Sequence, residues 1–289
     1  MSSAAKTPLT EIETWECAPT LNDTEIMEMC ANGYLVLEAV VPDEINRKVL
    51  DFLSGDIAVD YEPTELLDED WFIEHIILNP QAAGAIRSLL GNNFHLPMLI
   101  SNHRAECPQE AQNWHVDGAS KWSPELDGLQ VFYYPQDTPV TMGPTEVVPG
   151  SHLVKNGSRA MKHYGRVRSA VLTDAPAGTI FLTIYNIWHR RATATGKGLR
   201  HLLKYFYWRT STPRRDWIRE DINYHRANFG GPAGALGESF SSDFSACEMY
   251  CWLCGKHDAF EFKGGQCWPL QANRKDGPFW GYPKKLEDA

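Results

Sequence analysis

The distribution of apolar and polar residues predicts a helical first third of the chain. Helix-like spacing, with capping residues at each start, predicts three helices, over residues 24–32, 42–53 and 79–90. A short apolar run over residues 34–37 predicts a strand between the first two helices. The acidic segment 56–70 shows no such pattern, and we interpret it as a surface loop.

A different pattern begins at residue 95, where short runs rich in Val, Ile, Phe and Tyr are separated by Gly and Pro. These runs predict strands over residues 96–104, 113–116, 129–134, 145–148, 169–172, 179–184 and 200–208. Many short strands with turn residues between them are typical of a sandwich, a jelly roll or a barrel. We therefore predict an α+β, mainly β fold with flanking helices.

The last part of the chain, residues 213–289, is rich in Gly, Pro and aromatic side chains and shows little periodicity. It predicts an irregular C-terminal cover on the β core. Because no repeat and no flexible linker interrupts the sequence, we expect residues 1–289 to form a single domain. Within it, we expect residues 1–20 to be loosely ordered and residues 95–210 to form the core.

The composition is that of an ordinary globular protein, with 43% apolar and 22% charged residues. A formal net charge of −10 argues against nucleic-acid binding, which requires a basic face, and the basic run 209–219 is too short to change this. No run approaches the 18 apolar residues of a membrane span, and residues 1–10 lack the apolar centre of a signal peptide. Seven cysteines without regular spacing indicate a reducing compartment. We therefore expect a cytoplasmic protein that binds neither nucleic acid nor membranes.

Candidate chemistry first appears in the segment 112–118, where His115 and Asp117 lie two residues apart after an apolar run. Residues i and i+2 of a β-strand point to the same face, so these two side chains can converge. An imidazole and a carboxylate make up part of an octahedral Fe(II) site, and one further His completes a facial triad with open positions. A His-x-Asp triplet is common by chance, so the downstream residues decide its meaning.

Three further features follow in order. The segment 143–152 has a tight turn on either side of a short strand, and a later strand, led by residues 177–181, ends at His189. Arg200 comes eleven residues after His189. A planar guanidinium group can hold a carboxylate through two parallel hydrogen bonds, which suits an iron site that uses a carboxylate cosubstrate. An intervening loop and the next antiparallel strand would return Arg200 to the side of His189.

This ordered set resembles the phytanoyl-CoA dioxygenase family of Fe(II)- and 2-oxoglutarate-dependent oxygenases. The similarity consists of His-x-Asp, the segment Gly-Pro-x-x-x-x-Pro-Gly-Ser-His, a distal His, and an Arg eleven residues later, and it covers roughly residues 23–217. The resemblance implies a double-stranded β-helix core, also called a jelly roll or cupin-like fold. It also implies that His115, Asp117 and His189 bind Fe(II) and that Arg200 pairs with the distal carboxylate of 2-oxoglutarate.

The sequence departs from the family pattern at two positions. Arg191 stands where the family often has the Ser or Thr that helps to bind the cosubstrate, and Asn113 stands where fungal members often have Gln. Thr145 and Arg104, together with Asn113, are candidates for the remaining cosubstrate contacts. Aromatic residues that flank the motifs are core residues or candidates for the substrate pocket: Trp114, Tyr133, Tyr185 and Trp188.

The resemblance implies oxidation, most simply hydroxylation, of an unactivated C–H bond in a small organic molecule, with O2 as the second substrate and succinate and CO2 as products. Two other classes stay open, a jelly-roll binding protein without activity and a cupin-type metal isomerase or lyase that would not need Arg200. No catalytic residue beyond the iron ligands is implied.

A second possible metal motif lies near the C-terminus, at Cys247-x3-Cys251-x2-Cys254, with His257 and Cys267 nearby. Its spacing matches an iron–sulfur motif, and the additional residues could make a structural zinc site. The enzymes that use the cluster motif continue into a long α/β barrel, whereas only 35 residues follow here. We therefore predict that these cysteines are buried thiols.

Overall fold

A five-stranded antiparallel sheet lies at the centre of the fold in a computed structural model that describes residues 17–55, 62–118, 123–154, 159–220 and 236–259. Its strand order is β1-β7-β4-β10-β2, and two smaller sheets have the orders β3-β9 and β6-β5-β8. The strands are β1 Tyr34–Leu37, β2 Ser101–Asn102, β3 Ala105–Gln109, β4 Gly128–Tyr134, β5 Thr145–Val147, β6 Val171–Leu172, β7 Thr179–Ile184, β8 His189–Arg191, β9 Ala194–Arg200 and β10 Leu203–Trp208. The helices are α1 Asp23–Asn32, α2 Asp43–Leu53, α3 Asp70–Phe72, α4 Pro80–Leu90 and α5 Leu236–Leu253.

The two faces of the central sheet have different surroundings. One face carries alternate residues of β4, β7 and β10, such as Val131, Leu182 and Tyr205, and these pack with residues of the helices, including Ile26 of α1 and Ile86 of α4. The intervening residues point the other way because side chains alternate along a strand. The second face therefore contributes polar as well as apolar side chains to the interior of the jelly roll.

The helices predicted at the start of the chain are present with nearly the predicted limits. A capping box fixes the start of α1, since Asn22 accepts from the backbone N–H of Glu25 and Glu25 accepts from that of Asn22. Gly33 ends this helix in the left-handed conformation, at φ 79°. His152 reaches α1 and donates to the carbonyl of Cys30 at 2.9 Å.

Several predicted elements were wrong. The predicted strand 96–104 is replaced by β2 and β3, and in the predicted strand 113–116 only His115 forms a β-bridge. The segment 190–198, predicted as the loop before Arg200, forms most of β8 and most of β9. Gly196 is closely packed, because a Cβ at this position would lie 3.0 Å from the carbonyl oxygen of Thr141.

The helical content was also underestimated. Residues 64–77 form successive helical turns that bury Leu66 and Phe72, although the described part of the acidic segment had been interpreted as a loop. The predicted irregular cover contains the 18-residue helix α5, which packs against α1. Buried residues near its end, among them Cys247, Met249 and Cys251, do not form a single stripe, which explains the missing periodicity. The predicted loose order of residues 1–16 lies outside the described residues, as do residues 221–235 and 260–289 of the cover.

None of the helices in the described ranges is long and apolar enough to cross a membrane.

The carboxylate of Asp23 joins α1 to the C-terminal part of the chain. It is fully buried and accepts two hydrogen bonds from Arg215, at 2.8 Å each. It also accepts from the indole N–H of Trp217 at 2.7 Å, the hydroxyl of Tyr250 at 2.7 Å and the backbone N–H of Glu220 at 2.8 Å. Burial raises the pKa of Asp23, but these donors more than offset that effect and lower the pKa below its usual value.

We expect Asp23→Ala to lower the free energy of unfolding by about 3–5 kcal/mol at neutral pH, because it leaves Arg215 buried without this carboxylate. Denaturant titration measures the change, and Glu44→Gln, at an exposed site on α2, should stay within about 0.5 kcal/mol of the parent. Since the pKa is lowered in the folded state, the stabilisation is present above a pH of about 4 and is lost below it. A penalty that is the same at low and neutral pH would contradict this account.

Candidate metal centre

His115 and His189 lie directly opposite each other on neighbouring antiparallel segments. Each backbone N–H donates to the other residue's carbonyl oxygen at 3.0 Å. Residues paired in this way direct their side chains to the same face, and the two ring centroids are 4.4 Å apart. The backbone itself therefore places two imidazole groups side by side.

Each imidazole is held in one tautomer by its own backbone. Nδ1 of His115 lies 2.9 Å from the carbonyl oxygen of Asn113, and Nδ1 of His189 lies 3.0 Å from that of Ile187. A carbonyl oxygen only accepts hydrogen bonds, so Nδ1 carries the proton and Nε2 presents a lone pair. Nε2 of His189 is buried, and with the proton on Nδ1 it donates no hydrogen bond to the Asp117 carboxylate 3.2 Å away. Burial lowers the pKa of His115 and favours its neutral form.

Asp117 completes the group. Its carboxylate lies 3.2 Å from Nε2 of His189 and 3.8 Å from Nε2 of His115, and one atom from each of the three residues lies within 4.8 Å of the others. Within the described ranges, no other set of three or more His, Cys, Asp or Glu side chains is arranged to hold a metal ion. Two imidazole nitrogens and a carboxylate oxygen are the donor set of a facial Fe(II) triad.

Two neighbours fix the Asp117 carboxylate. Gln130 donates to Oδ2 from its side-chain amide at 2.8 Å, and the ammonium group of Lys204 contacts the same oxygen. Burial raises the pKa of Asp117, but the ammonium group of Lys204 lowers it to well below its usual range. The carboxylate is therefore ionised, and hydrogen bonds of this kind orient a metal ligand.

A small cavity of about 110 Å³ leads from the two histidines to Arg200. Arg200 is only 1% exposed and forms none of the ion pairs found among the described residues. Its guanidinium group lies 3.5 Å from the hydroxyl of Thr145 and 5.7 Å from the ring of Tyr134, and its Nε has no hydrogen-bond partner in the described part of the chain. A buried cation without an anion is costly, so this cavity is suited to a small anionic ligand.

Arg191 adds a second cation to this cavity. It lies opposite Thr145 in the β5–β8 pairing, and a buried Nη1 atom of its guanidinium group has no partner in the described ranges. Burial lowers its pKa, and the charge of Arg200 acts in the same direction. Arg104 and Gln112 also line the cavity. The cosubstrate candidates Arg200, Thr145 and Arg104 are thus brought together, whereas Asn113 is exposed and holds His115 through its backbone carbonyl.

A larger cavity of about 750 Å³ reaches Asp117 from another side. Its lining includes Tyr185, Phe206 and Trp208, and Lys204 and His103 border both cavities. The site therefore has two compartments that meet at the His-Asp-His group, one small and cationic and the other larger and lined by aromatic rings.

Of the four aromatic residues named as core residues or pocket candidates, Tyr185 lines the larger cavity, and the other three line neither of the two cavities. Trp114 is fully buried in a cluster with Val148 and Met161, and fully buried Tyr133 donates its hydroxyl to Asn46 at 2.6 Å. Trp188 packs against the same cluster as Trp114 and lines neither cavity.

Sequence reasoning missed the residues of β4 and β10 that line the site. Gln130 and Lys204 are the polar residues within two otherwise apolar strands. A polar residue in the middle of such a strand is the signal that could have identified them, because it requires a partner when the strand is buried.

The cysteines of the C-terminal motif line neither of these cavities. Cys247, Cys251 and Cys254 are buried on α5 or just after it, as predicted for structural thiols. Burial raises the pKa of Cys254 to about 12, which disfavours the thiolate that binds metals. Cys267 lies outside the described residues.

Comparison with known proteins identifies solved structures with a similar fold. No protein-family model matches the sequence, and no curated protein matches it significantly. Similar solved structures include SnoN, described as a non-heme alpha-ketoglutarate-dependent epimerase from nogalamycin biosynthesis, with 16% identity, a TM-score of 0.51, and coverage of 64% of this chain and 81% of SnoN. They also include HygX from Streptomyces hygroscopicus with iron bound, with 14% identity, a TM-score of 0.54, and coverage of 74% and 96%.

A further HygX structure contains nickel, 2-oxoglutarate and hygromycin B, with 14% identity, a TM-score of 0.52, and coverage of 71% of this chain and 92% of HygX. At this level of identity, the similarity defines the fold. The chain has an α+β, mainly β structure with a jelly-roll core, as the sequence predicted.

We expect Arg200→Met to stabilise the ligand-free protein by about 1–2 kcal/mol, because an apolar side chain replaces a buried cation that lacks a counterion. Arg190→Met is the matched control. Arg190 has a partner in Glu146 at 2.6 Å and lies over the ring of Trp114, so its replacement should destabilise the fold. Thermal and denaturant unfolding of both variants would measure the difference, and equal destabilisation would show that Arg200 is already compensated.

Proposed function

We propose that this protein is an Fe(II)- and 2-oxoglutarate-dependent dioxygenase that hydroxylates an unactivated C–H bond of a small organic molecule. One observation carries the proposal: a cationic cavity is lined by the buried guanidinium of Arg200 and by both histidines of the His-Asp-His group. An open metal position beside an anion pocket is the arrangement that a chelating keto acid requires. The iron and 2-oxoglutarate found in similar structures support it.

In this proposal, His115, Asp117 and His189 hold Fe(II), and the metal supplies the activation of O2. In the overall reaction, one oxygen atom of O2 enters succinate and the other enters the hydroxylated product. Two of the four electrons that reduce O2 come from the oxidative decarboxylation of 2-oxoglutarate, which releases CO2. The other two come from the substrate C–H bond.

The protein's own side chains bind the cosubstrate and orient the metal ligands. Arg200 grips the distal carboxylate of 2-oxoglutarate with Thr145 beside it, and Arg191 and Arg104 add positive charge to the same cavity. Gln130 and Lys204 keep the Asp117 carboxylate in place. Such fixed contacts contribute orientation and electrostatic stabilisation before any reaction occurs.

Two other functions receive less support. A jelly-roll binding protein without activity has no need for an ionised carboxylate directed at two imidazole lone pairs. A cupin-type isomerase or lyase has no need for a buried, unpaired Arg200. An epimerase among the similar structures shows that the fold can direct the same cofactors to other outcomes, so hydroxylation is part of the proposal.

We also propose that the chain belongs to the phytanoyl-CoA dioxygenase family, that residues 1–289 form one domain, and that the protein is cytoplasmic. Packing of α5 residues in the same apolar core as the central sheet supports a single domain. The ordered motifs support the family, and the unevenly spaced cysteines support the location.

The direct test is formation of succinate from 2-oxoglutarate by the purified protein in air. We expect turnover that depends on added Fe(II), stops with a chelator, and rises when the correct substrate is supplied. Absence of succinate from protein that has bound Fe(II) and 2-oxoglutarate would favour the binding protein or the isomerase.

We expect His115→Ala and His189→Ala each to reduce the affinity for Fe(II) at least tenfold and to abolish succinate formation, because each removes one of three protein ligands. Anaerobic titration with Fe(II) and measurement of bound iron check this. His163→Ala is the control, since this exposed residue lies outside both cavities. If either site variant keeps parental iron binding and turnover, that histidine is not a ligand.

We expect Arg200→Ala to raise the KM for 2-oxoglutarate by about 10–1000-fold, because a two-pronged ion pair is lost from a buried site. Arg200→Lys should recover only part of this, since an ammonium group lacks the planar fork. Arg191→Ala should have a smaller effect. A KM that changes in Arg191→Ala and not in Arg200→Ala would transfer the role to Arg191.

A further inference from the structure

The larger cavity has a wall of aromatic side chains. Lys204, Phe206 and Trp208 alternate along β10, so they share one face, and Tyr185 follows β7 beside them. The rings of Tyr185 and Phe206 are 4.7 Å apart at 67°, and those of Phe206 and Trp208 are 4.7 Å apart at 56°. Aromatic rings that pack in this way provide an apolar surface against which another ring can pack.

The sequence makes room for this wall at Gly128. A Cβ atom at this position would lie 2.2 Å from Cε1 of Phe206, so the ring of Phe206 occupies space that any other residue would fill. The cavity volume of about 750 Å³ falls in the range of sites for small organic ligands. The wall is therefore a fixed feature of the fold.

A buried hydrogen-bond acceptor adjoins the end of the cavity next to Asp117. Gln130 is 3% exposed, and it lines the cavity next to Asp117. Because the Asp117 carboxylate can only accept, the amide nitrogen of Gln130 must face it, and this fixes the position of the amide oxygen. That oxygen is buried and has no partner in the described part of the chain. A buried acceptor of this kind favours a ligand that brings an O–H or N–H donor.

The charges at the cavity argue against a polyanionic ligand. Glu125 and Asp127 stand exposed at its edge, and the ammonium group of Lys204 is in contact with Asp117. A thioester of coenzyme A carries several phosphate groups, which would meet these carboxylates without an uncommitted cation among the described lining residues.

We propose that this cavity binds the molecule that is oxidised, and that this molecule is a ring compound without phosphate groups that donates a hydroxyl or N–H hydrogen bond to the amide oxygen of Gln130. The ring packs against Phe206 and Trp208. Because Gln130 adjoins Asp117, the donor group lies at the end of the cavity nearest the His-Asp-His group. The assignment of the ligand as the oxidised substrate rests on the proposed function, whereas the binding chemistry does not.

The test compares two probes of nearly equal shape, 2-naphthol and 2-methylnaphthalene, of which only the first has a donor. Calorimetric titration of the full-length protein without metal should give about tenfold tighter binding of 2-naphthol, the value of one additional hydrogen bond. Because no metal or turnover is involved, failure here is separate from failure of the proposed function.

Variants of the cavity residues show where the probes bind and which residue accepts the hydrogen bond. Gln130→Met should remove the preference for 2-naphthol and keep the affinity for 2-methylnaphthalene within about twofold. Gln130→Glu, which keeps an acceptor oxygen but cannot donate to Asp117, should retain the preference. Trp208→Leu should weaken the binding of both probes to a similar extent. Gln81→Leu, at an exposed position of α4, should bind both probes with the affinity of the parent protein.

Equal affinity of the parent for the two probes, or no binding of either, would overturn the proposal even if the Gln130 variants fail to fold. So would a preference that persists in Gln130→Met, or binding that Trp208→Leu leaves unchanged. If both Gln130 variants reduce iron affinity while the probe preference stays, Gln130 serves only to position Asp117.

Discussion

The reciprocal pair of backbone hydrogen bonds between His115 and His189 is the constraint on which the candidate site depends. It joins the segment before Asp117 to β8, and it sets two imidazole groups on one face at a fixed separation. The carbonyls of Asn113 and Ile187 then select the tautomer that leaves Nε2 available. The geometry of the site therefore comes from main-chain pairing and needs few side-chain contacts to maintain it.

Charged groups are distributed unevenly between the two cavities of the site. Positive groups surround the small cavity. Among the described residues, Lys204 forms an ion pair with Asp117 and Arg190 forms one with Glu146. Arg200 and Arg191 are held in the protein without such partners, and this costs stability that an anionic ligand can restore. On the other side of Asp117, the aromatic cavity carries two exposed carboxylates. The fold thus separates an anion compartment from a compartment for a largely apolar ligand.

The sequence was informative where local chemistry decides the structure. Capping residues located α1, α2 and α4 to within about one residue, and β4, β7 and β10 followed from their apolar runs. The grouping of His115, Asp117 and His189 could be anticipated from the i, i+2 spacing and the order of the motifs, and their role as ligands stays a prediction.

Non-local pairing limited what the sequence could reveal. The segment of β9 contains two glycines and becomes a strand because it pairs with β3. Whether a tryptophan lines a cavity depends on which residues the fold places across from it. Trp114 packs against Val148 and Met161, whereas Trp208 lines the larger cavity. α5 escaped detection because the buried residues of its second half, 245–253, do not form one stripe.

The most direct test of the central claim is anomalous diffraction at the iron absorption edge from crystals prepared anaerobically with Fe(II) and 2-oxoglutarate. The account predicts a single strong peak bounded by Nε2 of His115, Nε2 of His189 and the carboxylate of Asp117, with the distal carboxylate of 2-oxoglutarate on Arg200. A peak elsewhere, or no peak at this site with the ammonium of Lys204 still bound to Asp117, would contradict it.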